Sequence, residues 1–199
     1  MLRAATLLRR GVAALATIMG HVAGWGFVLC ALFISAEVLA RWVLRVSTGS
    51  TTEISGYMLA FGLSWGLAHG LATRSHVRID VLVNRAPAAL RGWLHVFSLL
   101  LLGIFAGFVA WGAWELVDES LLFDAYDISA LRIPLAIPQG LWAAGLIVFV
   151  ALIACMLLEN LLLLLAGDIR QVDRNLSSRS FDEEAAEALE AIGAREAKR

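Results

Sequence analysis

Four long apolar stretches constrain this chain more than any other feature of its sequence. They run over about residues 20–40, 54–73, 93–117 and 138–166. A helix needs about 20 apolar residues to cross a hydrocarbon core of roughly 30 Å, because no backbone polar group can stay unpaired there. The fourth stretch is longer than this and should tilt or extend into the cytoplasm. The sequence therefore predicts an all-α membrane protein with four transmembrane helices.

The composition agrees with a protein that is surrounded by lipid. Apolar residues make up 60% of the chain and charged residues 17%, against roughly 45–50% and 25% in a soluble domain. A cleaved signal peptide is disfavoured because the first apolar stretch continues to Ala40. Cys30 and Cys155 are isolated within apolar runs, so they predict neither a disulfide framework nor a metal site. No catalytic residues are evident, and we expect no enzyme activity.

The cationic residues predict the orientation of the chain in the membrane. Thirteen lie in the N-terminal segment, in the loop between the second and third stretches, and in the C-terminal tail. The remaining loops hold only Arg41, Arg45 and Arg132. Because loops rich in Lys and Arg stay in the cytoplasm, both termini are predicted to be cytoplasmic. We expect a multi-pass protein of a bacterial inner membrane.

The outer side carries two groups of ionisable residues. The third loop is predicted to be an acidic periplasmic loop, with Asp118, Glu119, Asp124 and Asp127. Near the outer end of the first span, Glu37 and Arg41 are four residues apart and can pair on one helix face. Glu53, which opens the second span, could join them. We interpret this set as a structural ion cluster, and an ion-conducting site is the alternative.

The segments outside the spans divide the chain into three parts. Residues 1–18 form a predicted interfacial amphipathic segment, for which a frayed basic tail is the alternative. Residues 19–167 form the four-helix transmembrane domain, with a second interfacial helix or a bent lead into the third span over 77–94. Residues 168–199 form a charged cytoplasmic tail, either solvated or including a helix that docks on a partner.

Two further patterns within the spans have alternative interpretations. His21 and His69 lie at similar predicted depth on different spans, and two facing histidines can ligate haem. A haem-binding membrane anchor of the cytochrome b type is therefore an alternative function. Gly62, Gly66 and Gly70 form a ridge of small residues that permits close helix packing, either within this chain or against another.

Three short motifs resemble a known family. They are Glu53-Ile-Ser-Gly-Tyr57, then Gly66-Leu-Ala-His69, and then the H-x-R-x-D pattern of His76, Arg78 and Asp80 after the second span. The likeness covers roughly residues 15–166. With these motifs at these places among four spans, the chain resembles the small, DctQ-like membrane subunit of the tripartite ATP-independent periplasmic (TRAP) transporters.

The resemblance implies a scaffold subunit of a secondary transporter. A large TRAP membrane subunit is its expected partner and carries the sodium and substrate sites, so no cofactor is expected here. A periplasmic solute-binding protein would deliver an organic acid or similar solute. Glu53, Tyr57, His76, Arg78 and Asp80 are candidates for a subunit or lipid interface, since Arg78 can meet lipid phosphate. Membrane lipids are the other expected partners, and nothing indicates nucleic-acid binding.

Overall fold

A computed structural model describes residues 2–47, 49–74, 87–128, 131–176 and 189. Within these residues the chain forms four long α-helices and a short fifth one. They are α1 (Leu2–Val43), α2 (Thr51–Ala72), α3 (Ala88–Leu122), α4 (Ala136–Leu165) and α5 (Ile169–Leu176). Outside the helices, an isolated antiparallel bridge joins Tyr126 and Pro134. The prediction of an all-α protein is confirmed.

Three of the helices have the length and composition needed to cross a membrane. These are α1, α4, and α3 over Leu90–Leu122. α2 has 22 residues and is therefore about 33 Å long at the usual helical rise. Its glycines, its serines and His69 lower its hydropathy. The membrane crossing of α2 stays a prediction.

α1 is continuous across the boundary that separates residues 1–18 from the first predicted span. It has 42 residues, which gives a length of about 63 Å, roughly twice the thickness of a hydrocarbon core. Its sequence contains no proline, the residue that most often ends or kinks a helix. The N-terminal segment is thus a direct extension of the first span, and its location at the membrane surface stays a prediction.

α4 lies at the centre of the bundle and contacts each of the other four described helices. α1 and α2 pack against each other and against α4, while α3 packs against α4 and α5. The side chains of Leu99, Leu152 and Ile153 are fully buried where α3 and α4 meet the rest of the core. α4 is the most apolar of the helices. A helix that is apolar on nearly all sides is suited to such a central position.

Glycines bring the helices into close contact at several places, of which two involve α2 and its neighbours α4 and α1. A Cβ atom at Gly145 of α4 would lie 2.9 Å from the backbone carbonyl carbon of Ser64 in α2. On α2, Gly62 makes room for the ring of Phe27 from α1. A Cβ at Gly66 would meet no atom within 4 Å. The predicted glycine ridge is therefore not used as one continuous surface within the chain.

The beginning of the predicted solvated tail is packed against the bundle. Gly167 has a positive φ of +78°, which ends α4 and redirects the chain into α5. Val172 and Leu176 lie four residues apart on one face of α5 and are 0% and 2% exposed. This face contacts α3 and α4. The apolar residues of this face are few and lie among charged residues in the sequence. Residues 177–188 and 190–199 lie outside the described part of the chain.

Candidate functional site

A buried ion pair joins α1 to α4 near the predicted cytoplasmic end of the bundle. The Arg9 guanidinium donates through Nε to Glu159 Oε2. The Thr6 hydroxyl donates to the other carboxylate oxygen, Oε1, at 3.0 Å. Glu159 is buried, and Arg9 is partly exposed. Both carboxylate oxygens are therefore satisfied by the N-terminal segment, which fixes that segment against α4.

The next residue of α4, Asn160, links the bundle to α5. Asn160 is 1% exposed, and its Nδ2 donates to the carbonyl of Met156 at 2.8 Å. Asn175 of α5 donates through Nδ2 to Asn160 Oδ1 at 3.3 Å. Residues 159 and 160 thus hold two separate segments against the same end of α4. Sequence reasoning missed these partners, although two polar residues together within an apolar run were a usable signal.

The predicted ion cluster at the outer end of α1 is built around a third residue. Glu37 is buried, and its Oε1 lies 3.6 Å from Arg41 Nη2. The Ser47 hydroxyl donates to Glu37 Oε1 at 2.8 Å, and Arg41 Nη2 donates to Ser47 Oγ at 3.0 Å. Ser47 therefore completes a compact group that ties the loop after α1 back onto the helix. The spacing of residues along α1 does not predict these contacts of Ser47.

The predicted periplasmic ends of α2, α3 and α4 are connected through the loop at 123–135. In this loop Asp127 N donates to Ile133 O at 3.0 Å, and Leu135 N donates to Ala125 O at 2.9 Å. The Tyr57 hydroxyl of α2 donates to Asp127 Oδ2. The structure thus brings together Tyr57 and Asp127, which the sequence had placed in two separate groups. The loop is anchored to α2 by a hydrogen bond to a charged acceptor.

Glu53 lies one helical turn before Tyr57. Its Oε2 atom is buried and has no hydrogen-bond partner among the described residues. The assignment of Glu53 to the ion cluster of Glu37 and Arg41 stays a prediction.

The acidic residues of the outer side do not all belong to the loop. Asp118 and Glu119 are in the last turns of α3, because that helix continues to Leu122. Both are exposed, as is Asp124 in the loop. Ile128 at the loop tip is 102% exposed, and Phe123 is also largely exposed. The predicted periplasmic surface therefore combines negative charge with exposed apolar side chains.

Replacing Tyr57 with phenylalanine should loosen the loop at 123–135. The change removes a hydrogen bond to a carboxylate, which contributes about 1.5 kcal/mol. Amide hydrogen exchange at Asp127 and Leu135 should then accelerate by about tenfold. Tyr126→Phe is the matched control, since this half-exposed tyrosine lies in the same loop. Equal exchange rates in the two variants would show that the Tyr57 contact does not hold the loop.

The two histidines of the haem alternative lie next to each other at the α1–α2 contact. Their ring centroids are 5.8 Å apart with the planes at 62°, and Gly20 makes room for His69. His21 Nδ1 donates a hydrogen bond to the carbonyl oxygen of Thr17 at 2.7 Å. In the described part of the chain, no group of three His, Cys, Asp or Glu side chains is placed to hold a metal ion.

α3 has a long exposed apolar face. Its face carries exposed aromatic and aliphatic side chains from one end to the other: Trp93, Phe97, Leu101, Ile104, Phe105, Phe108, Trp111 and Trp114. This apolar surface is far larger than the apolar patches that soluble monomeric proteins expose. It requires lipid or another apolar protein surface.

The H-x-R-x-D motif belongs to the part of the chain that the structure does not describe. His76, Arg78 and Asp80 lie outside the described residues, together with most of the predicted second interfacial helix. Of the predicted subunit or lipid interface, only Glu53 and Tyr57 are described. Their assignment to that interface stays a prediction.

Comparison with known families provides the deciding observation. Residues 30–166 match the family described as tripartite ATP-independent periplasmic transporters, DctQ component. The match begins within α1 and ends just after α4, so it covers well over half of the chain. The chain belongs to this family. Searches of curated proteins and of solved structures find no match.

Membership of the DctQ family confirms the resemblance that the short motifs indicated. It makes this chain a membrane component of a tripartite transporter system. It gives no support to the haem-binding alternative. Each of the contacts Arg9–Glu159 and Asn160–Asn175 joins a residue outside the match to a residue inside it. Those contacts attach both flanking segments, at 2–29 and 169–176, to the matched bundle.

Proposed function

We propose that the chain is the small scaffold subunit of a TRAP-type secondary transporter. In this proposal it supports a large membrane subunit in sodium-driven uptake of an organic acid or similar solute. A periplasmic binding protein delivers that solute. The observation that carries the proposal is the family match, which extends across α2, α3 and α4 and the last third of α1.

The proposal includes four membrane crossings, with α2 as the fourth. α2 and α4 run in the same direction and in register. Tyr57 near the start of α2 reaches the loop before α4, and further along Trp65 Nε1 donates to Leu141 O at 2.9 Å. α2 therefore lies beside a helix that has the composition of a span. Its length of about 33 Å is sufficient to cross the same hydrocarbon core.

The positive-inside rule supports the orientation, with both termini in the cytoplasm of a bacterial cell and the chain in the inner membrane. On this orientation the loop at 123–135 faces the periplasm. Its acidic and apolar side chains then provide a surface for the binding protein. The ion pair of Arg9 with Glu159 and the α5 contacts lie on the cytoplasmic side.

A scaffold subunit needs an apolar surface that a membrane partner can cover. The exposed face of α3 has this character along its whole length. Large aromatic side chains are favoured at such interfaces because each buries much area with few rotatable bonds. We therefore include this face in the proposal as a contact surface for the large subunit.

Co-expression with a large membrane subunit encoded beside this chain tests the proposal. We expect a tag on this chain to recover the untagged large subunit as a stable complex in mild detergent. An unrelated membrane protein of similar size, expressed with the same tag, is the control and should recover none. A monodisperse chain that never associates with the large subunit would contradict the scaffold function.

A further inference from the structure

An apolar groove runs along the outside of the α1–α2 pair. Its volume is about 670 Å³, and its walls are almost entirely apolar. The main lining residues are Ile18, Val22, Trp25 and Leu29 from α1, with Met58 and Phe61 from α2. Gly26 shapes the floor, since a Cβ there would lie 2.9 Å from the Met58 sulfur. The groove is thus a concave site on a surface that otherwise faces lipid.

The length of the groove corresponds to one leaflet of a bilayer. It extends from Thr17 to Leu29 along α1, a distance of about 18 Å at the helical rise. Half of a hydrocarbon core is roughly 15 Å thick. With the N-terminus in the cytoplasm, this span of α1 lies in the inner leaflet. A single acyl chain of a phospholipid has the right length and chemistry to fill the groove.

Positive charge lies beyond the inner end of the groove. His21 lines the groove near that end, and its Nδ1 donates to Thr17 O at 2.7 Å. Arg10 is exposed seven residues before Thr17, on the same side of α1 and about 10 Å further towards the cytoplasm. Arg9 cannot serve the same purpose, because it is paired with Glu159. A cationic side chain such as Arg10 next to an apolar groove favours an anionic headgroup.

We propose that the groove binds one acyl chain of an anionic phospholipid from the cytoplasmic leaflet, with its headgroup beyond Thr17 and near Arg10. The site is separate from the exposed face of α3, because the groove is lined by α1 and α2. This inference goes beyond the scaffold function. It depends on the membrane orientation and not on the identity of the large subunit.

Photolabelling of the full chain, purified with any subunit that associates with it, tests the site. The protein is reconstituted in phosphatidylcholine liposomes that contain a small fraction of phosphatidylglycerol with a diazirine in the acyl chain. Mass spectrometry after illumination should locate most adducts on groove residues such as Ile18, Val22 and Met58. Val22→Trp should fill the groove and remove most of that labelling. Leu100→Trp on α3 is the control, because Leu100 is 45% exposed and Val22 is 47% exposed.

The charge requirement is tested without changing the groove. Arg10→Gln should reduce the preference for phosphatidylglycerol over a diazirine-labelled phosphatidylcholine by about fivefold. Arg3→Gln removes the same charge about 10 Å further from the groove and should have a much smaller effect. Adducts spread evenly over all exposed apolar faces would overturn the site. Equal labelling by the two lipids in the unmodified chain would overturn its anionic selectivity. Loss of labelling when a large subunit is bound would assign the groove to protein instead.

Discussion

Replacing Arg9 with methionine should lower the free energy of unfolding by about 3 kcal/mol, which is typical when one partner of a buried ion pair is removed. The reason is the position of Glu159, which is buried and receives its only described cationic contact from Arg9. The hydroxyl of Thr6 would remain as a donor but cannot neutralise the carboxylate. Unfolding by SDS in mixed micelles, followed by circular dichroism, measures the change.

Arg10→Met is the matched control for this experiment. It removes the same charge from the neighbouring residue, whose side chain is exposed, and should change the free energy of unfolding by less than about 0.5 kcal/mol. The double variant Arg9→Met with Glu159→Met should recover most of the loss, because no unpaired charge then remains buried. Equal losses in the Arg9 and Arg10 variants, with no recovery in the double variant, would show that the ion pair does not hold α1 to α4.

Gly145→Ala should lower the free energy of unfolding by about 1–3 kcal/mol, the usual cost of inserting a methyl group into a packed contact. The added Cβ would lie 2.9 Å from the backbone carbonyl carbon of Ser64 and 2.5 Å from its Oγ atom. A backbone atom cannot move aside as the end of a flexible side chain can. α2 and α4 must therefore separate, and the hydrogen bond from Trp65 to Leu141 O should weaken with them.

Gly140→Ala is the control on the same helix. Its Cβ would meet no atom within 4 Å, so only the better helix propensity of alanine remains. That propensity should stabilise the chain by about 0.5–1 kcal/mol. The two substitutions are thus expected to change stability in opposite directions. If both stabilise the chain to a similar extent, the contact between α2 and α4 is looser than the geometry indicates.

The number and approximate positions of the long helices could be predicted from the apolar stretches. The helix ends could not be predicted as well, because hydropathy falls wherever a helix leaves the hydrocarbon, although the backbone can continue to be helical. α1 thus continues through the basic residues 3–10, and α3 continues through Asp118 and Glu119. Polar residues at those positions end an apolar stretch without ending the helix.

The candidate sites were predicted less completely than the helices. Spacing within one helix was enough to suggest that Glu37 could pair with Arg41, since residues four apart share a face. It contained no information about Ser47, which completes the group from the following loop. Likewise, the apolar face of α5 consists of a few positions among charged residues, so the segment was predicted only as part of a charged tail, either solvated or with a helix that docks on a partner. Its burial depends on contacts with α3 and α4.

The sequence by itself determined that this is an all-α chain suited to a membrane, because long apolar stretches must bury their backbone polar groups in helices. Its motifs also indicated the family, which the match over residues 30–166 confirms. Only the tertiary structure decided that α4 is central, that Glu159 is paired with Arg9, and that Tyr57 holds Asp127. Those contacts join residues 70 to 150 positions apart. The choice of neighbour for each helix face depends on packing between distant segments and on glycines such as Gly145. The spacing of residues within one helix does not determine that choice.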